Sequence, residues 1–283
     1  FLKRFESSSK AFEGSCERLM VKLLAWSEVH TTKPREVDRL DKWKHKYEQL
    51  LGRVSEHQSL MDRHQQELFG ANEPEEDIIP PEMLLDVEEL SRDEYDVGAM
   101  LDDTIDDLNE LCGFLAQLQK LTATHDVKLQ KLIKLIKSDK ELKGQKLLVF
   151  TEFADTARYL GEHLVEAGIE DVHVIDGGTS PDGRLEVIRR FAPYYNGRSS
   201  TEIEQQGQRE IRVLISTDVL SEGLNLQDAT RMINYDIHWN PVRLMQRIGR
   251  VDRRLNPTVE ERTLADHPQL EKERGRIGQW KFL

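Results

Sequence analysis

The segment Arg212-Val213-Leu214-Ile215-Ser216-Thr217-Asp218 decides the fold of the second half of the chain. Its continuous apolar run predicts a strand that is buried on both faces. The strand ends in hydroxyl groups and a carboxylate, with Thr217 and Asp218 last. Ligands of parallel α/β sheets bind beyond the carboxyl ends of the strands, so these two side chains are candidates for a binding site.

A second apolar run and a basic helix follow this strand. The run Met232-Ile233-Asn234-Tyr235-Asp236 predicts a neighbouring strand, which brings Asp236 to the same edge of the sheet. Asn240-Pro241 supplies an N-cap and a favourable first helical residue. We therefore expect a helix from about Pro241 to Arg254.

This helix places its polar and apolar side chains on different faces. One face carries Arg243, Gln246, Arg250 and Arg253, and the neighbouring stripe carries Leu244, Ile248, Val251 and Leu255. Gly249 lowers the stability of a helix, so its presence suggests that something approaches the backbone closely. A basic amphipathic helix on a solvated surface is the alternative for the octapeptide 246–253 when it is taken alone.

Strands and helices alternate from about residue 141 onward, which is typical of βαβ units. The predicted strands before Arg212 are Lys146–Thr151 and Val172–Asp176. A helix from Asp155 to about Ala167, closed by Gly168, separates them, and Ser180-Pro181 begins the next helix. Gly177-Gly178 is interpreted as a turn. We expect residues 194–210 to form a mobile polar loop and residues 277–283 to add an edge strand.

The first half of the chain predicts helices instead. Apolar residues recur at helical spacing before and after Pro34, and again over 101–118 and 129–136. Residues 73–81 predict a loop or hinge, and the polar stretch 137–144 is the expected domain boundary. The expected fold is an all-helical region, residues 1–140, followed by an α/β domain, residues 141–283, with a parallel sheet flanked by helices.

The negative charge of the chain is concentrated in one segment. The whole chain carries a formal net charge of −12. Residues 72–112 hold 16 acidic residues and one basic residue, Arg92, so the segment has a charge of 1 − 16 = −15 and the remainder −12 − (−15) = +3. A polyanionic partner is therefore compatible with the rest of the chain.

Composition excludes several other classes of protein. The sequence has no apolar run long enough for a membrane span and no visible signal peptide, which favours a cytoplasmic protein. Cys16 and Cys112 are too few for a disulfide framework or a zinc site, and the histidines show no ligand spacing. Asp93-Glu94-Tyr95-Asp96 follows no buried strand, so we interpret it as a surface segment and expect no metal site. The chain begins at Phe1, which suggests a piece of a longer protein.

Three ordered segments resemble conserved motifs of superfamily 2 helicases and translocases, most closely the Swi/Snf-type, RapA-like branch. Residues 216–227 resemble motif V, residues 246–253 resemble motif VI, and Leu148-Val149-Phe150-Thr151-Glu152-Phe153 takes the place of motif IV. The resemblance covers roughly residues 145–256. Leu2 to Ser8 weakly resembles a segment between the two lobes of RapA-like proteins.

The resemblance implies that the α/β domain is the C-terminal RecA-like lobe of an ATPase. In this superfamily ATP lies between two lobes, and the phosphate loop and the magnesium ligands belong to the N-terminal lobe. No G-x-x-x-x-G-K-[ST] segment occurs in this chain, so we expect the fragment to be inactive alone. The implied catalytic residues are the arginine fingers Arg250 and Arg253, together with Gln246. The implied nucleotide contacts are Asp218, Gly223 and Gly249.

The resemblance also implies sequence-independent contacts to nucleic acid, with double-stranded DNA as the expected partner. The phosphate contacts would come from Thr151, Thr217, Arg243 and Arg247. The alternative for each threonine is an ordinary strand-end hydroxyl that caps the next helix. A DEAD-box-like RNA helicase lobe is the nearest competing class. Glu222-Gly223, where many of those proteins carry Arg-Gly, favours the Swi/Snf side.

A second class of hypothesis concerns the helical region. With its acidic segment, this region could bind a protein partner or inhibit the enzyme by shielding the nucleic-acid path. A solvated acidic insertion is the simpler alternative. The sequence does not decide the direction of movement, the cellular pathway, or whether the protein unwinds nucleic acid or only translocates along it.

Overall fold

The computed structural model describes residues 2–57, 87–221, 225–229, 231–251, 256–268 and 271. The chain divides into two compact units, Phe1–Thr122 and Ala123–Leu283. This division lies ahead of the predicted boundary in the stretch 137–144. The helix before that stretch buries Leu129, Leu132 and Ile136 in the core of the second unit, so it belongs to that unit.

The first unit is helical, as predicted. Its helices are α1 (Leu2–Ser7), α2 (Ser9–His30), α3 (Pro34–Lys46) and α4 (Val97–Leu118), and residues 48–57 are also helical. Ser8 and Asp96 cap α2 and α4 by accepting hydrogen bonds from the amides of Ala11 and Ala99. The predicted hinge at 73–81 lies outside the described residues, as does the acidic stretch 72–86.

One apolar core holds these helices together. Its buried members come from α2, α3, α4 and residues 48–57, and they are Cys16, Met20, Leu40, Trp43, Val54, Ile105, Leu108, Leu111, Cys112, Leu115 and Leu118. Both cysteines are free and buried, which agrees with the absence of a predicted disulfide. The amide oxygen of Asn109 accepts hydrogen bonds from the indole of Trp43 and the hydroxyl of Tyr47.

The second unit contains a four-stranded parallel sheet, which confirms the predicted α/β fold. The strands are β1 (Leu147–Phe150), β2 (Val172–Ile175), β3 (Val213–Ser216) and β4 (Arg231–Asn234). Their order across the sheet is β2-β3-β1-β4, and every pair is parallel. The carboxyl ends of β1, β3 and β4 are therefore neighbours.

Helices flank this sheet on both faces. They are α5 (Val127–Ser138), α6 (Ala154–Glu166), α7 (Pro181–Phe191) and α9 (Pro241–Val251); the unit also contains α8 (Ser200–Gln205) and α10 (Pro257–Asp266). The apolar residues of α5 and α6 pack in one cluster on the sheet, and those of α7 and α9 pack in another. The central strands β1 and β3 are buried throughout, whereas the edge strands β2 and β4 are partly exposed.

Residues 194–210 differ from the predicted loop. They contain a 3₁₀ turn at Tyr194–Asn196 and the helix α8, which Ser199 caps through the amide of Glu202. Tyr194 and Ile203 are buried, so two apolar side chains in a polar stretch are enough to fix it to the core. The predicted edge strand at 277–283 lies outside the described residues.

No helix among the described residues is long and apolar enough to span a membrane.

Candidate nucleotide and nucleic-acid site at the carboxyl edge of the sheet

The residues that follow β1 and β4 are joined by the carboxylate of Asp236. Its Oδ2 accepts hydrogen bonds from the hydroxyl of Thr151 and, at 3.3 Å, from the amide of Glu152. Its Oδ1 accepts from Lys128 Nζ on α5 at 2.7 Å. The same lysine lies over the ring of Tyr235, 3.9 Å from the ring centroid. A single carboxylate therefore holds the ends of two strands and the start of α5.

Tyr235 is a buried neighbour of this carboxylate. Burial raises the pKa of its hydroxyl above the ordinary value, and the charges of Asp126 and Asp236 raise it further. The hydroxyl of Tyr159 donates to Asp126 at 3.1 Å, and burial likewise raises the pKa of this tyrosine. Both phenols therefore stay protonated at neutral pH.

Arg247 on α9 is the most enclosed cation of this edge, with 3% of its surface exposed. Its Nε and Nη2 donate to the two carboxylate oxygens of Asp218, at 2.6 and 2.9 Å. Its Nη1 donates to the side-chain oxygen of Asn234 at 3.2 Å and to the backbone oxygen of Asp236 at 3.3 Å. The guanidinium also lies over Phe150, 5.2 Å from the ring centroid. A bidentate pair of this kind fixes orientation as well as distance.

This geometry corrects the role predicted for Arg247. Because its guanidinium is buried and bonded to residues after β3 and β4, it is not presented to a nucleic-acid backbone. It anchors α9 to the sheet instead. Asp218 is also committed, since both of its oxygens accept from Arg247, while Arg243 Nη1 lies 3.7 Å from its Oδ2. The nucleotide contact predicted for Asp218 stays a prediction.

The two predicted threonine contacts are buried as well. Thr151 has no exposed surface, and its hydroxyl donates to Asp236 rather than capping the next helix. Thr217 is almost as buried, and its hydroxyl has no hydrogen-bond partner among the described residues. The structure therefore gives Thr151 a structural role at this edge, and it leaves the phosphate contact of Thr217 as a prediction.

The outer side of α9 carries the predicted catalytic face. At about 100° per residue, Arg243, Gln246 and Arg250 fall within an arc of about 60°. Gln246 is exposed, and the two arginines are partly exposed. A Cβ added at Gly249 would meet nothing within 4 Å, so the backbone is accessible there. Asn240 caps the helix, as predicted, by accepting from the amide of Val242 at 2.9 Å. Gly223 and Arg253 lie outside the described residues.

The segment that leads into α9 exposes large apolar side chains beside these arginines. Ile237, Trp239, Val242 and Met245 are each more than half exposed. His238 between them is anchored, because its Nδ1 accepts from the amide of Asn240 at 2.8 Å. The approach to the predicted catalytic face is therefore apolar on one side and basic on the other.

The end of β2 forms a separate polar group. Asp176 accepts from Arg158 Nε at 2.7 Å and from the amide of Gly178 at 2.9 Å, which makes Gly177-Gly178 the predicted turn. Ser180 then caps α7, as predicted, by accepting from the amide of Gly183. This end of the sheet thus carries one more carboxylate that is paired with an arginine.

No group of three or more His, Cys, Asp or Glu side chains that could hold a metal ion occurs in the described part of the chain. Asp96, in the acidic tetrapeptide 93–96, serves as the N-cap of α4.

Sequence reasoning missed two residues that organise this edge. Lys128 is 108 positions from Asp236, and nothing in its local sequence distinguishes it from the other lysines of α5. Asn234 lies within β4, and its contact with Arg247 depends on how α9 packs. Strand-end carboxylates were a usable signal, since Asp176, Asp218 and Asp236 each follow a strand and each bind a cation.

Comparisons with known proteins agree with this architecture. Residues 127–254 match the family model described as "Helicase conserved C-terminal domain". The match begins at α5, in agreement with the observed boundary between the units. It also includes all four strands and α9.

Three curated relatives show how far the similarity extends. An uncharacterized ATP-dependent helicase, YqhH, of Bacillus subtilis is 34% identical over 164 residues, which is 58% of this chain and 24% of the relative. RNA polymerase-associated protein RapA of Vibrio parahaemolyticus is 34% identical over 119 residues, 42% of this chain and 11% of the relative. A probable ATP-dependent RNA helicase, MJ0669, of Methanocaldococcus jannaschii is 34% identical over 119 residues, 42% of this chain and 27% of the relative.

The chain therefore spans only about a quarter or less of the length of these relatives. The predicted family resemblance is confirmed for residues 127–254, which are similar to the helicase conserved C-terminal domain and contain the parallel sheet.

Proposed function

We propose that this chain supplies the second motor lobe of a nucleic-acid-dependent ATPase that acts as a DNA translocase of the RapA-like, Swi/Snf type. The helicase C-terminal domain and the similarity to ATP-dependent helicases support the ATPase. In this proposal, Arg250 and Arg253 act as arginine fingers, and Gln246 binds near the phosphates or the attacking water. The N-terminal lobe, with the phosphate loop and the magnesium ligands, is the first partner of the chain.

The observation that carries the proposal is the contrast between neighbouring side chains of α9. Arg247 is bonded to Asp218 and Asn234, which fixes the rotation of the helix about its axis. Gln246 and Arg250, which lie within about 100° of Arg247 around the helix, are more exposed. Fixed guanidinium groups at such a surface can stabilise charge that develops on a transferring phosphoryl group.

The residues of this chain fit a triphosphate as one wall of a site. Guanidinium and amide groups donate hydrogen bonds to phosphate oxygens, and Gly249 leaves the backbone of α9 open to close approach. When bound, ATP would supply the phosphoryl group and the bond whose hydrolysis drives movement. Arg250 would then orient and neutralise the phosphate oxygens, and Gln246 would position the group that attacks.

Duplex DNA is the proposed polymer, although identity alone does not choose between polymers. RapA and the RNA helicase MJ0669 match with the same identity over the same length. The residues that favour the Swi/Snf side are Glu222-Gly223 and the Leu-Asn-Leu-Gln that follows. Arg243, which is partly exposed at the start of α9, is the remaining candidate for a backbone contact, together with Thr217.

The fingers are tested in the full-length enzyme with separate Arg250→Ala and Arg253→Ala variants. Each is expected to bind DNA as the unaltered enzyme does and to lose DNA-stimulated ATP hydrolysis by a factor of about 10³ or more. Arg262→Ala, which removes an exposed arginine from α10, is the matched control and should hydrolyse ATP normally. Near-normal turnover in the finger variants would show that these residues are misassigned.

The composite site is tested with the 283-residue chain alone. We expect no ATP hydrolysis above background, with or without DNA, because the phosphate loop is contributed by the other lobe. If the isolated chain hydrolyses ATP and Arg250→Ala abolishes that activity, the two-lobe proposal is contradicted. The catalytic role proposed for Arg250 would still stand.

The choice of polymer is tested by the stimulation of hydrolysis in the full-length enzyme. Blunt duplex DNA is expected to stimulate more strongly than single-stranded RNA of the same length at the same salt concentration. Stronger stimulation by RNA would instead favour an RNA helicase of the DEAD-box class.

A further inference from the structure

Lysine recurs at every third position from α5 to the start of β1. The seven residues are Lys128, Lys131, Lys134, Lys137, Lys140, Lys143 and Lys146. The same stretch contains only two acidic residues, Asp139 and Glu141, in a chain whose net charge is −12. Positive charge is therefore concentrated on one element of a protein that is acidic as a whole.

The two ends of this series differ from its middle. Lys128 pairs with Asp236, and Lys146 pairs with Glu210. The five lysines between them are exposed and form no ion pair with any residue that the structure describes; we call them the lysine stripe. Lys128 and Lys146 thus form ion pairs at the two ends of the series, whereas the lysines of the stripe can contact solvent or a ligand.

The stripe is displayed on a rigid support. Leu129, Leu132 and Ile136 of α5 are buried in the core beneath it, and Leu142 in the following turn is buried as well. Asp126 caps the helix by accepting from the amide of Leu129 at 2.8 Å. Because the apolar side of α5 is fixed, Lys131, Lys134 and Lys137 are held on its exposed part, and Lys140 and Lys143 follow in the exposed turn after the helix.

We propose that the lysine stripe binds the phosphate backbone of duplex nucleic acid, at a second contact surface distinct from the outer face of α9. Lysines that neutralise phosphates release counterions, which gives affinity without sequence preference. This surface does not depend on the proposed arginine fingers, so it would bind whether or not the lobe hydrolyses ATP.

The chemistry of the stripe favours a duplex over a single strand or a protein. Proteins that bind single strands combine a basic groove with aromatic side chains on which the bases stack. Residues 127–146 contain no aromatic residue. Protein interfaces are depleted in lysine and centred on apolar residues, whereas the only large apolar side chain exposed here is Val127, at the start of the helix.

The test removes three charges from the 283-residue chain in a Lys131→Gln/Lys134→Gln/Lys137→Gln variant. Binding to a labelled DNA duplex is measured by fluorescence anisotropy over a series of salt concentrations. We expect binding about tenfold weaker or more at low salt, and a slope of log Kd against log salt that is smaller by about 2 to 3. Thermal unfolding should be unchanged, because all three side chains are exposed.

A second triple variant controls for the loss of net charge. Arg35→Gln/Lys42→Gln/Lys46→Gln removes three exposed cations from α3 in the first unit and should bind the duplex as the unaltered chain does. Chemical acetylation of lysines, detected by mass spectrometry, independently locates the surface that the bound duplex covers. Bound duplex should protect the stripe but not Lys42.

Three outcomes would overturn the proposal. Unchanged affinity and salt slope in the stripe variant would show a merely solvated surface. An equal loss in the α3 variant would show that only net charge matters. If the stripe variant binds the duplex normally but no longer binds single-stranded RNA or polyglutamate, that polymer and not the duplex is the ligand of the stripe.

Discussion

Two regions of the second unit use positive charge in opposite ways. At the carboxyl edge of the sheet, cations pair with carboxylates: Arg247 and Arg243 with Asp218, Lys128 with Asp236, and Arg158 with Asp176. On α5 and in the turn after it, five exposed lysines meet no carboxylate among the described residues.

The difference shows which arginines and lysines of such a motif stabilise the fold and which can bind a ligand. A buried guanidinium needs a permanent partner, because desolvating an unpaired charge is costly. An exposed ammonium has no such requirement, so it can exchange solvent for a ligand. The sequence of α9 contains a buried arginine, Arg247, and the partly exposed Arg243 and Arg250, and the sequence alone does not distinguish them.

The largest expected effect is the loss of the buried pair in Arg247→Met. Removing this guanidinium takes the donor away from Asp218, Asn234 and the backbone oxygen of Asp236, and breaking a buried pair from one side costs up to about 3–5 kcal/mol. Urea unfolding of the chain should show this loss. Arg247→Lys keeps the charge without the bidentate geometry and should lose less.

If Arg247 contacts nucleic acid instead, Arg247→Met would weaken DNA binding and leave the unfolding free energy unchanged. That result would show that Arg247 is a binding residue like the more exposed arginines of α9, and not a structural one.

Thr151→Val is expected to have the next largest effect. The substitution keeps the volume but removes one of the two donors to Asp236 Oδ2, and the loss of a hydrogen bond to a charged group costs about 1.5–3 kcal/mol. Unfolding by urea measures the loss, and Thr179→Val, at the partly buried turn after β2, is the comparison. A stable Thr151→Val variant with weaker DNA binding would restore the predicted phosphate contact.

A smaller, pH-dependent effect extends the comparison to the helical unit. Hydrogen bonds from Arg92 lower the pKa of Glu36 from 4.5 to about 2. The carboxylate is favoured in the folded state, so its stabilisation is complete above about pH 4.5 and is lost as the pH falls toward 2. Glu36→Gln should therefore destabilise the chain at pH 6 and differ less from it at pH 3. A difference that is constant with pH would exclude the ion pair as its source.

The smallest expected effect belongs to the lysine stripe. Lys134→Gln should change the free energy of unfolding by no more than about 0.5 kcal/mol, because the side chain is exposed and unpaired. The same urea titration serves as the measurement. A loss as large as that of Thr151→Val would show that the stripe is structural.

Local patterns were sufficient to predict most of the fold. The runs at 146–151, 172–176, 212–218 and 232–236 each contain an observed strand, and the cap signals at Asn240 and Ser180 are both used. These features depend on neighbouring residues only. The polar stretch 194–210 failed as a prediction because burial of Tyr194 and Ile203 depends on a core made elsewhere in the chain.

The partners within the site could not be predicted in the same way. Motif positions predicted a nucleotide contact for Asp218 and a nucleic-acid contact for Arg247, but they did not show that the two residues bind each other. That contact depends on the rotation of α9 over the sheet, which the helical period does not specify. The contact between Lys128 and Asp236 joins residues 108 positions apart and has no local signal.

The position of α5 has a consequence for dividing the protein into parts. This helix covers the sheet before the first strand begins, and its Lys128 is bonded beyond β4, the last strand that the structure describes. A truncated protein that starts at residue 141 would uncover the side chains on which Leu129, Leu132 and Ile136 pack. A truncated protein that starts at Ala123 keeps those side chains covered by α5. A version of this unit made for separate study should therefore include the helix that precedes β1.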